Sequence, residues 1–325
     1  MRILITGAAG MIGRKLLARL AAEGALAGRR IAAIDLHDIV APTPTEGAAF
    51  TTATHQGDLA DESVAQALVA AKPDVIFHLA GIVSGEAEAH FDLGYRVNLD
   101  GARVLFDAVR AAHISPRIVF TSSIAVFGAP FPPVIPDDFH LTPLTSYGSQ
   151  KAMAEALLAD YTRKGIFDGI GIRLPTICVR PGQPNKAASG FFSGIIREPL
   201  SGLPADLPVP REVVHTHASP RSAVGFLIHA AEIDGTLVGP RRNLTMPGVA
   251  VTVGQQIEAL RAIAGDKTVA LIREVPDAIV AKIVAGWPTR FDARRARDLG
   301  FIGERSFAEI IQVYVDDELG GIVSR

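Results

Sequence analysis

A phenol and an ammonium group lie four residues apart at Tyr147 and Lys151, which places both on one face of a predicted helix. The lysine charge, added to that of an oxidised nicotinamide, stabilises the phenolate and so lowers the pKa of the tyrosine toward working pH. Such a tyrosine can take the proton from a substrate hydroxyl while hydride leaves the same carbon. Tyr-x-x-x-Lys also occurs on ordinary helix surfaces. Here it follows Thr121-Ser122-Ser123, a polar end to an apolar strand, from which a serine hydroxyl can hold the substrate oxygen beside Tyr147.

A glycine-rich segment, Gly7-Ala8-Ala9-Gly10-Met11-Ile12-Gly13, stands between a predicted strand and a predicted helix. Glycines let the backbone turn tightly and approach a pyrophosphate, whose charge then lies at the positive N-terminus of the helix. The next predicted strand ends at Asp35, about 20 residues after Gly13. A carboxylate there accepts hydrogen bonds from both ribose hydroxyls of an adenosine and repels a 2′-phosphate. This pattern predicts NAD rather than NADP as the cofactor.

Two later strand ends are predicted to touch the same cofactor, because an open α/β sheet binds its ligand at the carboxyl ends of its strands. Asp58-Leu59 follows a third short strand and is expected beside the adenine. At the end of the next strand, Leu79-Ala80-Gly81 lets the backbone pass close to the cofactor.

The elements that must position these residues alternate along the N-terminal half. Strands are predicted at Arg2–Thr6, Ile31–Asp35, Val75–Leu79 and Arg117–Ser122, and helices at Met11–Glu23, Asp61–Ala71, Asn98–Ala112 and Tyr147–Arg163. Continuous apolar strands separated by helices are typical of a parallel sheet covered on both faces. The fold class is therefore α/β, with a doubly wound parallel sheet.

Prolines break the chain repeatedly after Arg173, and the pattern there changes to loops and short elements. Regular helices resume at Ser222–Ile233, Val253–Ala264, Pro276–Ala285, Asp292–Asp298 and Ser306–Leu319. We predict a nucleotide-binding domain over residues 1–174 and a smaller substrate-binding lobe over 175–325, with some segments of the lobe returning to the first domain.

Composition excludes several classes of protein. The 325 residues carry a net charge of −2 with scattered Lys and Arg, which argues against a nucleic-acid surface. The single cysteine, Cys178, excludes a disulfide framework and fits a reducing compartment. No apolar run approaches the ~18 residues that span a bilayer, and Met1-Arg2 leads directly into a strand. We expect a cytoplasmic protein without a membrane partner. His215 and His217, without a nearby Cys or carboxylate cluster, predict no metal site.

Together these motifs resemble the extended short-chain dehydrogenase/reductase family over nearly the whole chain. The resemblance is carried by Gly7-x-x-Gly10-x-x-Gly13, Asp58-Leu59, His78-Leu79-Ala80-Gly81, Asn98, Thr121-Ser122-Ser123 and Tyr147-x-x-x-Lys151. It implies a Rossmann domain, NAD, and a catalytic set of Ser123, Tyr147 and Lys151. Tyr147 is then the general base, and Lys151 also binds the nicotinamide ribose.

The same resemblance implies which residues contact the cofactor and how the chain associates. Cofactor contacts are expected at Gly7, Gly10, Met11, Ile12, Gly13, Asp35, Asp58, Leu59, Leu79, Ala80, Gly81, Asn98, Tyr147, Lys151 and Pro175. Asn98 is expected to hold the active-site backbone or a water of a proton relay. A homodimer is implied, in which Asn98–Ala112 and Tyr147–Arg163 pair with their two-fold mates. Apolar side chains are expected to supply an inner and an outer contact face: Val104, Leu105, Val109, Leu157, Leu158 and Tyr161.

Three departures from the family pattern bear on the substrate. Ile124-Ala125 stands where sugar-nucleotide dehydratases carry Asp-Glu, and Thr176 stands where the epimerases usually carry Asn. Both losses argue against a nucleotide-sugar substrate. The third departure, Phe127 in place of the family's Tyr, is interpreted as packing only.

The segment from Arg173 to Gly182, with Pro184-Asn185-Lys186 and Ser189–Phe192 after it, resembles one branch of the family most. That branch oxidises the 2-hydroxyl of a four-carbon sugar acid, D-erythronate. Substrate contacts are then expected at Ser122, Ser123, Tyr147 and Thr176, with Arg180 or Lys186 as the cation for the carboxylate. Two alternatives stay open: a nucleotide-sugar 4-epimerase with tightly bound NAD, and a non-catalytic NAD(H)-sensing protein.

Overall fold

The structure is a computed structural model that describes residues 1–182 and 188–323. Its strands are β1 Arg2–Thr6, β2 Ala25–Leu26, β3 Arg29–Arg30, β4 Ala33–Asp38, β5 Thr51–Gln56, β6 Val75–His78, β7 Arg117–Ser123, β8 Ile135–Pro136, β9 Asp168–Leu174, β10 Thr176–Ile177, β11 Ala205–Leu207, β12 Val214–Ala218, β13 Asn243–Thr245, β14 Val249–Thr252, β15 Ile272–Glu274 and β16 Phe291–Asp292. Its helices are α1 Met11–Glu23, α2 Glu62–Ala70, α3 Ser84–Ala89, α4 Phe91–Tyr95, α5 Gly101–Ala111, α6 Ser146–Arg163, α7 Gly190–Leu200, α8 Pro220–Glu232, α9 Gly235–Val238, α10 Val253–Val269, α11 Ala278–Ala285, α12 Arg294–Asp298 and α13 Phe307–Glu318. A π-helical turn covers Arg96–Asp100 and a 3₁₀ turn covers Ile124–Val126.

Seven strands form the central sheet in the order β13-β9-β7-β6-β1-β4-β5, and each neighbouring pair is parallel. Helices α1 and α8 pack on one face, while α2, α5 and α6 pack on the other. Side chains of β1 alternate between the two layers, so that Ile3 and Ile5 enter one core and Leu4 the other. The predicted doubly wound α/β fold is confirmed.

A second apolar core lies outside the sheet. It is built mainly from α7, α10 and α13, with Phe192, Ile257 and Ile310 fully buried in it. The chain returns to the central sheet for α8, β13 and α12, whose apolar residues join the α1 layer. The smaller lobe is therefore not one continuous segment.

Strand β4, which follows β1 as the next strand of the central sheet along the chain, begins and ends later than its apolar character alone predicts. The prediction was Ile31–Asp35, whereas β4 runs Ala33–Asp38. An unpredicted hairpin of β2 and β3 precedes it. The strand continues through two polar residues because both find partners: His37 Nε2 lies 3.1 Å from the Gly57 carbonyl oxygen, and Asp38 accepts from the Ala9 amide.

In the described part of the chain, no helix combines the length and the apolar character needed to cross a membrane.

A buried ion pair joins three elements that lead to the cofactor edge of the sheet. Arg173, at the end of β9, donates to both carboxylate oxygens of Glu155 on α6, from Nε at 2.9 Å and from Nη2 at 2.8 Å. Ser122 of β7 donates to the same carboxylate at 2.5 Å. Glu155 is 1% exposed and Arg173 is 6% exposed. Both charges are out of water, so each depends on the other.

Replacing Glu155 by alanine leaves the Arg173 charge buried without its partner. We expect the free energy of unfolding to fall by about 3–5 kcal/mol in urea titrations. Asp160→Ala is the matched control, because Asp160 and Arg163 form an exposed pair on the same helix, which contributes about 0–1 kcal/mol. Equal losses in the two variants contradict this account of the buried pair.

Candidate active site

The glycine-rich loop has the shape of a phosphate cradle. Gly7 has φ +73°, and a Cβ added there would lie 2.6 Å from the Ala80 amide nitrogen. A Cβ on Gly13 would lie 2.7 Å from the Ala8 Cα atom, so α1 approaches the loop this closely only with glycine. The first turn of α1 contains no acidic residue, and no side chain caps Gly10. Its free amide groups fit the pyrophosphate of a dinucleotide.

One cavity of about 560 Å³ brings together residues predicted for cofactor and for substrate. Predicted cofactor residues that line it are Gly7, Gly10, Met11, Ile12, Gly13, Leu79, Gly81, Tyr147, Lys151 and Pro175. Predicted substrate residues that line it are Ser122, Ser123, Tyr147, Thr176 and Arg180. A cavity of this size is in the range of small-molecule sites.

The catalytic candidates are held by the end of β7 and the first turns of α6. Lys151 Nζ donates to the Thr121 carbonyl oxygen at 2.9 Å and lies 5.9 Å from the centre of the Tyr147 ring. Ser123 Oγ accepts from the Ala125 amide at 3.1 Å, and Ser123 and Tyr147 both line the cavity. Thr145 caps α6 by accepting from the Gly148 amide at 3.1 Å. These contacts place a serine hydroxyl, a phenol and an ammonium group on one wall of the cavity.

Burial governs the pKa values of this wall. It raises the pKa of Tyr147, and the polar side chain of Ser123 opposes this more weakly. Burial also lowers the pKa of Lys151 to about 8, although the charge of Glu155 favours protonation. The expected lowering of the Tyr147 pKa depends on the charges of Lys151 and oxidised NAD together and stays a prediction, while burial by itself raises that pKa.

Asn98 holds the backbone behind the cavity and does not line it. Its Oδ1 accepts from the Ile82 amide at 3.0 Å, and its Nδ2 donates to Gln150 Oε1 at 2.8 Å. A Cβ on Gly81 would lie 2.9 Å from Asn98 Oδ1, so the backbone comes this close only with glycine. Of the two roles expected for Asn98, the structure shows the first, in which its side chain holds the active-site backbone.

Asp35 was predicted to bind the ribose, and the structure places it elsewhere. It lies inside β4, opposite Leu4, where His55 Nε2 is 3.0 Å from Oδ1 and Arg2 Nε is 3.5 Å from Oδ2. The carboxylate at the cofactor end of the strand is Asp38, which accepts from the Ala9 amide of the glycine-rich loop at 2.9 Å. We therefore propose Asp38 in place of Asp35 as the ribose contact, because the strand ends three residues later than its apolar run.

The predicted adenine side lies outside this cavity. Asp58 accepts from the Ala60 amide at 2.9 Å and from Arg96 Nε at 2.7 Å. Leu59 is buried in the core layer on the α5 side of the sheet, and Ala80 packs against the same layer. Contacts of these three residues with the cofactor stay predictions.

Two expected substrate contacts stay predictions. Ser122 reaches the cavity, and because its hydroxyl hydrogen is donated to Glu155 at 2.5 Å, it can only accept a hydrogen bond from a substrate. Lys186, together with Pro184 and Asn185, lies outside the described residues.

The smaller lobe supplies cavity residues that sequence reasoning missed or read as ordinary. Arg197 of α7, His215 of β12 and Trp287 after α11 all line the cavity. No local motif marks them, because the three come from distant segments. His215 and His217 bond separately to Thr176 and Gln256, and the described residues contain no cluster of three or more metal-binding side chains.

Comparison with known proteins supports the interpretation of this cavity as an NAD site. The model of the NAD dependent epimerase/dehydratase family matches residues 3–217. The chain belongs to this family. The resemblance to extended short-chain dehydrogenase/reductases is thus confirmed, and NAD is the cofactor.

Two curated relatives cover nearly the whole chain. The chain is 46% identical to D-erythronate dehydrogenase of Cupriavidus necator over 321 residues, which are 98% of each protein. It is 37% identical to D-erythronate dehydrogenase of Haemophilus influenzae over 98% of this chain and 100% of that protein.

Among solved structures, a nucleoside-diphosphate-sugar epimerase from Agrobacterium tumefaciens has a TM-score of 0.98 and 60% identity, over 100% of this chain and 96% of that one. The holo form of a GalE-like L-threonine dehydrogenase from C. necator has a TM-score of 0.84 and 22% identity, over 98% and 99% of the two chains. The second likeness shows the fold alone.

The revised ribose assignment is testable without a substrate. Asp38→Ala removes a charged hydrogen-bond acceptor and a repulsive carboxylate, so we expect NADH to bind about 10- to 150-fold more weakly while NADPH loses less. Asp35→Asn is the control and should leave the ratio of the two dissociation constants unchanged. Fluorescence titration with NADH and NADPH measures both. The opposite pattern, with only the Asp35 variant changing the ratio, would restore the original assignment.

Burial of Lys151 has a consequence for stability. Its pKa in the folded protein is about 8, below the ordinary value of 10.5, so the folded state releases the proton first. The folding penalty is therefore complete below pH 8 and disappears as pH rises toward 10.5, and stability increases over that window. We expect Lys151→Met to be more stable than the natural protein at pH 7, on the order of 3 kcal/mol.

Urea unfolding at pH 7 and pH 10 measures this difference. Between pH 7 and pH 10, the free energy of unfolding of the natural protein should rise relative to that of Lys151→Met. Parallel pH dependence in the two proteins contradicts a depressed pKa at Lys151.

Proposed function

We propose that this protein uses NAD to oxidise the 2-hydroxyl of D-erythronate to 2-dehydro-D-erythronate. The observation that carries the proposal is Arg180. It lines the cavity that contains Ser123 and Tyr147, and within residues 1–182 and 188–323 its guanidinium pairs with no carboxylate. Its one side-chain hydrogen bond there goes to Ser189 Oγ at 3.3 Å. A half-buried cation without a counter-ion favours an anionic ligand.

A cation in this place selects an acid among the polyhydroxy compounds that the catalytic wall can oxidise. The two D-erythronate dehydrogenases that match over nearly their full lengths support a four-carbon sugar acid in particular. Arg197 also lines the cavity, but its guanidinium is paired with Glu198 at 2.5 Å and donates to the Arg180 carbonyl oxygen at 2.7 Å. It therefore supports the Arg180 backbone and leaves the substrate carboxylate to Arg180.

The roles of the catalytic wall follow from its contacts. Ser123 holds the reacting hydroxyl oxygen, and Tyr147, which lines the same cavity, takes the hydroxyl proton. The O–H electrons then form the new carbonyl bond, and the C–H bond on the same carbon breaks. Bound NAD supplies the acceptor for the hydride that leaves.

Lys151 stabilises the negative charge on the Tyr147 oxygen. Its ammonium group is fixed by the Thr121 carbonyl and lies beside the phenol ring. Burial raises the pKa of Tyr147, so positive charge beside the phenol favours formation of the phenolate. The positive charge of oxidised NAD adds to it, so proton removal is coupled to cofactor binding.

A nucleotide-sugar epimerase is the second candidate, because the Agrobacterium chain at 60% identity is described as one. Thr176 stands on the cavity wall where the epimerases usually carry Asn to bind the sugar diphosphate. Its short hydroxyl side chain fits a carboxylate substrate better, as does the Arg180 guanidinium, which pairs with no carboxylate among the described residues. A non-catalytic NAD(H) sensor has no need of Ser123, Tyr147 and Lys151 on one wall.

We infer that two parts of the chain bind different ligands. Residues 1–174 hold NAD, and residues 175–325 supply the substrate lobe, apart from the segments around α8, β13 and α12 that complete the central sheet and its cover. The cytoplasm stays the predicted compartment, supported by the single buried and unpaired Cys178.

A homodimer through α5 and α6 stays part of the proposal, with a revised contact face. Val104, Leu105, Val109 and Leu158 are buried in the chain's own core, so these four cannot make the outer contact. The outer surface of α6 keeps Met153, which is 37% exposed, and the half-buried Leu157 and Tyr161.

If these side chains form the dimer contact, Met153→Arg brings two like charges together at the two-fold axis. Light scattering at micromolar concentration should report a dimer for the natural protein and a monomer for this variant. Ile302→Arg is the control, because Ile302 is 82% exposed and lies outside α5 and α6. A natural protein that is monomeric overturns the dimer.

The Arg180 assignment predicts a preference for acids. D-Erythronate should be oxidised at least tenfold more efficiently than erythritol or erythrose. Arg180→Ala should remove most of that preference by lowering kcat/KM for the acid about 10- to 150-fold, the usual effect of losing a charged hydrogen-bond partner. Absorbance at 340 nm measures the rates, and Arg290→Ala, outside the cavity lining, is the control. Equal rates on acid and polyol contradict the proposed function.

A further inference from the structure

His215 makes a polar contact inside the cavity that the proposed reaction does not use. Its Nε2 lies 2.7 Å from Thr176 Oγ1, and both residues line the cavity. Thr176 follows Leu174 by two positions, and Leu174 lies opposite Ser123 in the sheet. The pair is therefore placed where the chain leaves the catalytic strands for the smaller lobe, separate from Arg180.

Packing fixes the His215 ring. Phe192 stacks on it with a centroid distance of 5.1 Å and an interplanar angle of 3°, and Trp287 lies 5.4 Å away. His215 is 2% exposed, and burial lowers its pKa to about 4, so the ring is neutral at physiological pH. A neutral, immobile imidazole offers one donor and one acceptor in set directions.

The surroundings favour one arrangement of hydrogens. Among the described residues, Nδ1 makes no hydrogen bond of normal geometry, and the Pro288 backbone carbonyl also acts on the ring. A carbonyl can only accept, so it favours the ring hydrogen on Nδ1 and leaves Nε2 to accept from the Thr176 hydroxyl. The oxygen of Thr176 then keeps lone pairs for a donor in the cavity.

We infer that Thr176 and His215 form a hydroxyl-selecting pair, in which Thr176 accepts a hydrogen bond from a second hydroxyl of the substrate and His215 holds Thr176 in that orientation. The inference rests on the proposed function and adds a third contact between the protein and the substrate. Ser123 and Tyr147 hold the reacting hydroxyl, and Arg180 holds the carboxylate. Thr176 is then the specificity-determining contact, and His215 is a positioning residue. The selected substrates are acids that carry a hydroxyl beyond carbon 2.

The comparison substrate is 2-hydroxybutyrate, which keeps the carboxylate, the 2-hydroxyl and the four carbons of D-erythronate but lacks its other hydroxyls. The natural protein should strongly prefer D-erythronate. In Thr176→Val, kcat/KM for D-erythronate should fall about 10- to 100-fold, while that for 2-hydroxybutyrate changes less than about threefold. His215→Phe should act in the same direction, and Thr176→Ser should restore the preference because it keeps the hydroxyl.

His217→Phe is the matched control. His217 lies two residues along the same strand, is fully buried, and bonds to Gln256 without lining the cavity. General damage to β12 lowers both rates equally in this variant and leaves their ratio unchanged. Quenching of the fluorescence of Trp287, the single tryptophan of the chain, reports NADH binding in each folded variant. If His215→Phe does not fold, His215→Gln replaces it.

A discrimination ratio that falls in the Thr176 and His215 variants but not in the His217 variant supports the pair. A ratio that stays constant in Thr176→Val, with D-erythronate still oxidised by the natural protein, overturns this inference and leaves the proposed function intact. A natural protein that oxidises neither acid overturns both.

Discussion

The carboxylate of Glu155 joins the elements on which the site depends. On α6 it follows Lys151 by one turn and Tyr147 by two, so the three side chains share a face of the helix. It accepts from Ser122 of β7 and from Arg173 of β9. The residues just beyond these contacts are Ser123 and Thr176, which line the cavity. One buried charge thus sets the distance between the helix that carries the base and the strands that carry the substrate contacts.

The same carboxylate offsets part of the cost of burying Lys151. An ammonium group enclosed by protein loses its hydration, which is why the pKa of Lys151 falls to about 8. Glu155 favours the charged form of Lys151, and the Thr121 carbonyl accepts a hydrogen bond from the Lys151 ammonium group. Lys151 therefore remains mostly protonated at neutral pH, as a residue that stabilises a phenolate must. Burial of the Lys151 charge lowers the stability of the fold but supports catalysis, a combination that is common at active sites.

Local patterns in the sequence were sufficient to predict the central fold and many of the residues that line the cavity. The glycine-rich loop and the Tyr147–Lys151 pair depend on short spacings that fix geometry wherever a strand-loop-helix or a helix forms. Asp38 was missed because the end of β4 is set by partners distant in sequence, Gly57 and Ala9, and not by apolar character. The orientation of Ser122 was missed for the same reason, since Glu155 receives its hydrogen bond. His215 and Trp287 meet only after the smaller lobe folds back over the sheet.

The central claim is that this cavity moves hydride from carbon 2 of a sugar acid to NAD while Tyr147 takes the hydroxyl proton. D-Erythronate carrying deuterium on carbon 2 tests it directly, with the reduced cofactor analysed by mass spectrometry and absorbance at 340 nm. We predict net formation of NADH that contains one deuterium for each acid oxidised, with a slower rate than for unlabelled acid, and no comparable formation by Tyr147→Phe. NADH without deuterium, or no net NADH because the hydride returns to the substrate as in an epimerase, contradicts the account.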